Sequence, residues 1–256
     1  MKLCIDIGNS QIYGGLFVGD ELVSRFRKIT QRGASSDELG LFFRQVVREN
    51  GRDPGEVDAI GFCSVVPDLN HSLMNACRRY FDIEPFVLRA GVKSGLKIRY
   101  KNPAEVGTDR IAGAVAAVAR HPGKNIIIVD FGTATTVEAV NARQEYLGGA
   151  IFPGLGISMR ALEQNTARLP KVEILRPGKA CGRSTVASIQ SGLYWGHVGQ
   201  VREVCHRISL ECFSAATPVI IGTGGFAGLL GEAGLFSEVQ PDLVLEGIKI
   251  AQEMNA

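Results

Sequence analysis

A short pattern that occurs twice constrains the fold of this chain more than any other feature. Residues 3–10 read LCIDIGNS and residues 127–134 read IIVDFGTA. Each copy has an apolar run, an aspartate, one further residue, a glycine and a small polar residue. An apolar run bounded by a turn is typical of a buried strand, and an internal repeat indicates a duplicated unit. We therefore predict an α/β fold built from two copies of one domain.

The second copy shows the chemistry of the pattern most clearly. Residues 126–129 are all β-branched, which favours a central strand that ends at the Asp130 carboxylate. Gly132 permits a tight turn, and the threonines that follow it offer hydroxyl and N–H groups to a phosphate and its cation. A plain hairpin, in which Asp130 is only a turn residue, is the alternative at this stage.

The domain organisation follows from length and from the repeated plan. A chain of 256 residues suits two domains of about 120 residues each. Each copy of the pattern leads into a predicted meander and then into helices, and His121, Pro122 and Gly123 break the chain between them. We predict domains at residues 1–122 and 123–256, each a mixed sheet flanked by helices, with the active site in the cleft between them.

Several helices can be placed from capping and periodicity. An alanine-rich helix is predicted at residues 111–120, a helix at 155–169 and a long helix from 184 to about 212. Asp242 is expected to cap a last helix that ends near Met254.

Composition excludes several classes of partner. The net charge is +2 and no long Lys/Arg run occurs, so we expect no nucleic-acid partner. No run of 18 apolar residues and no leader-like start occurs, so we expect no membrane partner. The six cysteines form no C-x-x-C pair, which favours free thiols in a reducing cytoplasm over a zinc site.

Three glycine-bearing turns remain after other catalytic motifs are excluded. The chain has no Walker A motif and no G-x-S-x-G elbow, and the isolated G-x-G at residues 154–156 is expected to follow no long strand. The remaining turns, at residues 6–10, 130–136 and 222–225, each follow an apolar strand. Backbone N–H groups at such turns bind anions. Two phosphate turns and a third turn for adenine and ribose resemble the actin, hexokinase and Hsp70 superfamily, whose domains are ribonuclease H-like.

Finer blocks along nearly the whole chain resemble the type III pantothenate kinases. In chain order they are residues 6–10 (DIGNS), 64–67 (SVVP), 91–96 (GVKSGL), 100–103 (YKNP), 105–110 (EVGTDR), 130–136 (DFGTATT), 148–151 (GGAI), 182–185 (GRST) and 222–225 (GTGG). Two positions depart from the family pattern. Ser10 stands where threonine is usual, which keeps the hydroxyl, and Thr108 stands where alanine is usual, which adds one.

The resemblance implies a role for each site residue. The ATP-binding residues would be Asp6, Ile7, Gly8, Asn9, Ser10, Gln11, Ile12, Tyr13 and Thr133. The pantothenate-binding residues would be Tyr100, Gly107, Thr108, Asp109, Arg110 and Thr185. Asp109 would also be the general base, Asp130 would bind a potassium or ammonium ion, and Mg²⁺ would accompany ATP.

The implied reaction is ATP-dependent phosphorylation of pantothenate to 4′-phosphopantothenate, the first step of coenzyme A biosynthesis. Phosphoryl transfer needs an aligned hydroxyl, charge neutralisation and a nearby carboxylate, and Arg110 can pair with the carboxylate of pantothenate. The family also implies a homodimer, and Gly192 and Gly196 allow close approach on one face of the long helix.

Simpler interpretations stay open from the sequence. Asp109 is suitably placed to be a helix N-cap, Arg110 a surface helix residue, Tyr100 a core aromatic and Thr185 a helix-start residue. Two other functions also stay open. One is an accessory factor for transcription with reduced or absent kinase activity, and the other is a sugar kinase of the same superfamily.

Overall fold

The structure is a computed structural model that describes residues 1–214 and 216–256. The strands are β1 (Lys2–Ile7), β2 (Gln11–Val18), β3 (Glu21–Ile29), β4 (Ala59–Ser64), β5 (Phe86–Val87), β6 (Lys97–Ile98), β7 (Ile126–Phe131), β8 (Ala134–Val140), β9 (Glu145–Pro153), β10 (Val219–Gly224) and β11 (Glu238–Val239). The helices are α1 (Ser36–Glu49), α2 (Pro67–Phe81), α3 (Thr108–Arg120), α4 (Leu155–Gln164), α5 (Thr185–Phe213), α6 (Ala227–Gly231) and α7 (Leu243–Met254). No helix within these described ranges is both long and apolar enough to cross a membrane.

The first sheet has the strand order β3-β2-β1-β4-β5. β1, β2 and β3 form an antiparallel meander, whereas β4 pairs with β1 in parallel and β5 pairs with β4 in parallel. β1 is central, with the meander on one edge and β4 on the other, and four of its six residues are buried. Asp6 therefore lies close to the carboxyl end of a central strand, as the sequence predicts.

The second sheet repeats this plan and adds one strand. Its order is β11-β10-β7-β8-β9-β6, so β9-β8-β7-β10-β11 corresponds to β3-β2-β1-β4-β5. β7, β8 and β9 form the antiparallel meander, and β10 pairs with β7 in parallel. The predicted duplication of an α/β domain is confirmed, and Asp130 on β7 occupies the position that Asp6 occupies on β1.

The chain folds as two compact units whose segments are not all continuous in sequence. The first unit comprises Met1–Gly95, Lys101–Ala116 and Leu243–Ala256, and the second comprises Leu96–Tyr100 and Ala117–Asp242. The division predicted after residue 122 differs from these units chiefly in α7, which we expected in the second domain. α7 belongs to the first unit because it packs against β1, β4 and α3 there.

Close contacts at two glycines show how α7 fits. A Cβ atom at Gly247 would lie 1.8 Å from the carbonyl oxygen of Ala112, so α7 and α3 meet backbone to backbone. A Cβ at Gly61 of β4 would lie 3.0 Å from a methyl group of Ile248. The apolar face of α7 is buried, including Leu243, Leu245 and Ile248. Burial of this face is what joins the last helix to the first unit.

The predicted helix bounds are right in places and wrong in others. α5 begins directly after Ser184, in agreement with the predicted start, and the Ser184 hydroxyl accepts from the Ala187 N–H. α4 ends at Gln164, five residues before the predicted end. α3 begins at Thr108, three residues before the predicted start, and this shift changes the environment of Asp109.

Candidate active site

The turn after β1 is held by hydrogen bonds that close it on both sides. The Gly8 N–H donates to the carbonyl of Gln11 at 3.0 Å. Thr30, which follows β3, donates its hydroxyl to the Gly8 carbonyl at 2.7 Å and its N–H to the Ser10 carbonyl at 3.1 Å. The backbone of the predicted phosphate turn is therefore fixed before any ligand binds. The contribution of Thr30 was not predicted, because it depends on how β3 aligns with β2.

The carboxyl of Asp6 lies on the face of the sheet that also carries Cys63. Asp6 is in register with Tyr13 on β2 and with Cys63 on β4. The Cys63 thiol donates a hydrogen bond to Oδ1 of Asp6 at 3.2 Å. Burial of the carboxyl, and secondly the nearby Asp109 carboxylate, raise the pKa of Asp6 to about 7, while the thiol acts in the opposite direction. Cys63 is fully buried, and its own pKa is raised well above the ordinary value by burial.

Asp109 lies in the first turn of α3, close enough to Asp6 for the two charges to interact. Its Oδ1 accepts from the N–H of the next residue, Arg110, at 2.8 Å. Burial raises the pKa of Asp109, and the bond from Arg110 offsets part of that rise. The alternative that Asp109 is the N-cap of a helix starting at residue 111 is wrong, because α3 begins at Thr108 and includes Asp109.

Gly107 makes room for this arrangement. A Cβ atom at Gly107 would lie 2.4 Å from Oδ1 of Asp109, which is closer than real contacts of this kind. Any side chain at this position would therefore push the carboxyl out of place. Arg110 is partly buried rather than an ordinary exposed helix residue. Gly107, Thr108, Asp109 and Arg110 thus lie in the same unit as Asp6 and Cys63.

The second unit carries the equivalent turn after β7. Asp130 is in register with Thr136 on β8 and Thr223 on β10, so these three side chains share one face of the sheet. A Cβ at Gly224 would lie 2.3 Å from Oδ1 of Asp130, and Gly224 has a φ of +85° that favours glycine. The Thr136 Oγ1 is buried and has no hydrogen-bond partner among the residues that the structure describes.

The loop between β7 and β8 is held against the start of α4. A Cβ atom at Gly154 would lie 2.5 Å from the Thr133 carbonyl oxygen and 2.6 Å from that of Gly132. The glycine of the G-x-G at residues 154–156 thus serves close packing against this loop. This fixes the backbone at Thr133, the residue that the resemblance assigns to ATP.

A buried histidine supports the same sheet. His197 on α5 lies 2.8 Å from the hydroxyl of Thr135, measured from Nε2 to Oγ1, and packs beside the rings of Phe131 and Phe152. Burial lowers the pKa of His197 to about 4, so the imidazole is neutral at pH 7. The pairing with Thr135 was not predicted, because it depends on which helix covers β8.

The other two predicted pantothenate residues lie elsewhere in the second unit. Tyr100 packs beside β9, with its ring centroid 6.3 Å from that of Tyr146 and its ring edge near Gly148. Thr185 is exposed at the start of α5 and lines a groove of about 630 Å³ between α4 and α5, together with Ser158 and Ser188.

The first unit thus presents a partly buried pair of interacting carboxylates near a fixed glycine turn. One carboxylate lies near the end of a central strand, and the other lies in the first turn of a helix, where it could accept the proton of a bound hydroxyl. The second unit presents a carboxylate among threonine hydroxyls at an equivalent turn. A glycine turn of this kind, in either unit, suits the binding of a phosphate with its cation.

Comparison with solved structures supports the fold. The chain is similar to a protein of Campylobacter jejuni named as a Baf family transcriptional activator, with a TM-score of 0.63 over 99% of this chain and 98% of that one. The two share 19% sequence identity, so this likeness speaks for the fold alone.

Comparison of sequences identifies the family. The family model described as type III pantothenate kinase matches residues 2–207. A type III pantothenate kinase of Legionella pneumophila (strain Corby) is 53% identical over 255 residues, covering 100% of this chain and 99% of that protein. One from Elusimicrobium minutum is 48% identical with the same coverage. The chain belongs to the type III pantothenate kinase family.

Proposed function

We propose that this protein transfers the γ-phosphoryl group of ATP to pantothenate, giving 4′-phosphopantothenate in the first step of coenzyme A biosynthesis. The observation that carries the proposal is the pairing of Asp109 with Asp6 at the Asp6–Gly8 turn, in a chain of this family. Because the matching relatives carry kinase names, the alternative of an accessory transcription factor with a reduced site is not favoured.

In this proposal Asp109 accepts the proton of the pantothenate hydroxyl as that oxygen attacks the γ-phosphorus. A general base works best when its pKa approaches the working pH, and burial raises the pKa of Asp109 in that direction. The hydrogen bond from the Arg110 N–H holds one carboxylate oxygen, so the other oxygen is the candidate acceptor. The turn of residues 6–13 would hold the ATP phosphates, and Thr133 would contact ATP.

Arg110, Tyr100, Gly107, Thr108 and Thr185 would form the pantothenate site. The guanidinium of Arg110 can bind the pantothenate carboxylate in a bidentate pair, which a lysine cannot reproduce. We therefore expect Arg110→Lys to raise the KM for pantothenate on the order of tenfold while the KM for ATP stays the same. An unchanged pantothenate KM would show that this pairing does not form.

Substitution of the base gives the most direct test. Asp109→Asn keeps the shape of the side chain and its acceptance from Arg110, but it removes the proton acceptor, so turnover should fall by about 10² to 10⁴. Asp68→Asn is the matched control, since Asp68 is an exposed carboxylate in the first turn of α2. ATP binding, measured by calorimetry, should survive in both variants. Full activity in Asp109→Asn would refute the role of Asp109.

Kinases of this family use ATP with a divalent metal, and we further propose a potassium or ammonium ion at Asp130. The Thr136 Oγ1, buried and without a hydrogen-bond partner in the described part of the chain, lies on the strand beside Asp130 and supplies a second oxygen ligand. One carboxylate with neutral oxygens suits a monovalent cation, which would add positive charge near the phosphates. Activity should fall when sodium replaces potassium, and Asp130→Asn should abolish the difference. Equal activity in both salts would exclude this cation site.

A homodimer is proposed on the surface of α5. Trp195 and Val186 are exposed, and a Cβ atom added at Gly192, Gly196 or Gly199 would meet no described atom within 4 Å, so this helix has open space beside it. Glycines spaced along one face allow a second helix to approach closely. Light scattering after gel filtration should give twice the chain mass of 27.5 kDa, and Gly196→Trp should lower the measured mass to that of the monomer.

We propose a cytoplasmic location, where ATP is available and the six free thiols stay reduced.

A further inference from the structure

The Thr108 side chain makes two hydrogen bonds to the backbone of Ser64, and the proposed phosphoryl transfer requires neither of them. Its hydroxyl accepts a hydrogen bond from the Ser64 N–H at 3.1 Å and donates one to the Ser64 carbonyl at 3.0 Å. One side chain thus satisfies both backbone groups of a residue 44 positions earlier in the chain. Ser64 is the last residue of β4, and Thr108 is the first residue of α3.

The register of the first sheet explains why Ser64 has these groups to offer. Leu88 donates its N–H to the Phe62 carbonyl at 2.8 Å, so Phe62 directs its backbone groups toward β5. Backbone direction alternates along a strand, so Ser64 directs its groups to the same side. β5 pairs with Gly61 and Phe62 and ends before it reaches Ser64. The Thr108 hydroxyl takes the place of the next strand residue.

We propose that Thr108 is a positioning residue that fixes the start of α3 to the end of β4 and thereby sets the distance between Asp109 and Asp6. This inference rests on the proposed function, in which Asp109 is the general base. Asp109 directly follows Thr108, and Cys63, which bonds Asp6, directly precedes Ser64. The bridge therefore joins the residue next to Asp109 with the residue next to Cys63, the hydrogen-bond donor to Asp6. An alanine at position 108, the residue usual in the resembling pattern, would make neither bond.

The test separates the hydroxyl from the shape of the side chain. Thr108→Val keeps the branched shape and removes both hydrogen bonds, and Thr108→Ser keeps the hydroxyl and removes the methyl group. Thr166→Val is the matched control, because the Thr166 hydroxyl also bridges a backbone carbonyl and an N–H, those of Leu162 and Leu169, on the exposed surface of the second unit. Each variant is assayed for kcat, for both KM values and for the pH dependence of kcat/KM.

We expect kcat to fall on the order of tenfold in Thr108→Val, since small misplacements of a reacting group are costly. The KM for ATP should stay unchanged, and the acid limb of the pH profile should move as the Asp6–Asp109 distance changes. Thr108→Ser should recover most of the kcat that Thr108→Val loses, and the control Thr166→Val should stay within about twofold of the parent protein. The melting temperature should change little, because Ser64 and Thr108 line a cavity of about 600 Å³ from which water can reach the Ser64 backbone groups.

Two outcomes would overturn the proposal. The first is a Thr108→Val variant with the parent kcat and an unshifted pH profile. The second is a Thr108→Ser variant that loses as much activity as Thr108→Val, which would assign the effect to packing of the methyl group. If Thr108→Val does not fold, Thr108→Ala removes the same hydroxyl, and the same expectations apply to it. Loss of turnover in Asp109→Asn, tested separately, distinguishes failure of this inference from failure of the proposed function.

Discussion

Replacement of Asp6 by asparagine should stabilise the protein at alkaline pH while it removes function. The pKa of Asp6 is raised from 3.8 to about 7, chiefly by burial of the carboxyl. Because the folded state holds this proton more tightly than the unfolded state, folding stability is lost as pH rises from about 4 through about 7. A rise of about three pH units in the pKa corresponds to at most about 4 kcal/mol, at about 1.36 kcal/mol per unit. The asparagine side chain would carry no charge to bury, and it can still accept from Cys63.

The assay is urea unfolding of the parent protein and of Asp6→Asn at a series of pH values from about 4 to about 8, which spans the two pKa values. The difference in unfolding free energy between them should grow with pH by up to about 4 kcal/mol, in favour of the variant at the alkaline end. Titrating groups that do not interact with Asp6 cancel in this difference. Asp109→Asn should flatten the dependence partly, since the Asp109 carboxylate raises the pKa of Asp6. If the unfolding free energies of the two proteins differ by the same amount at every pH, ionisation of Asp6 does not destabilise the folded state, and the reasoning is refuted.

Substitutions at three further positions test contacts of the first unit. Thr30→Val removes the hydroxyl that holds the Gly8 carbonyl, so the KM for ATP should rise several-fold with the KM for pantothenate unchanged; Thr30→Ser should restore it, and an equal rise in both constants would contradict this role. Cys63→Ala removes a hydrogen-bond donor to Asp6, so the Asp6 pKa and the acid limb of kcat/KM should move to higher pH. Cys63→Ser supplies a stronger donor and should move both to lower pH. Shifts of the same sign in the two variants would argue against the thiol as a donor. Gly247→Ala places a methyl group against a backbone carbonyl of α3 and should cost about 2 kcal/mol or more of unfolding free energy; a neutral result in urea unfolding would show that the two helices can separate easily.

The fold could be predicted largely because its signals are local or repeated. The apolar runs before Asp6 and Asp130 identify the central strands, and the repeat predicts two sheets of the same plan. Glycine and proline at chain breaks locate most helices within a few residues. The carboxylates at the strand ends were predicted from the apolar runs that precede them, whereas the roles of the EVGTDR block follow only from the family resemblance and stay predictions.

What could not be predicted depends on contacts between distant parts of the chain. The Cys63 thiol reaches Asp6 only because β4 pairs with β1 in one particular register, and that register cannot be read from either strand alone. The same holds for Thr30 at the first turn. The start of α3 was misplaced because Thr108 is bonded to β4 across the first unit, and this bond extends the helix past the residue where its alanine-rich pattern begins.

The place of α7 has a consequence for how the protein is made. A ribosome delivers β1 to β5 early, but the helix that covers β1 and β4 emerges only when residues 243–254 have been synthesised. Until then the apolar surface beneath Leu245 and Ile248 has no cover, and a nascent chain in this state exposes a site for chaperones or for aggregation. The second unit has no comparable requirement, because all of its residues precede Leu243. Maturation of the first unit therefore waits for the last helix, and the carboxyl pair at Asp6 and Asp109 gains its full support only at that point.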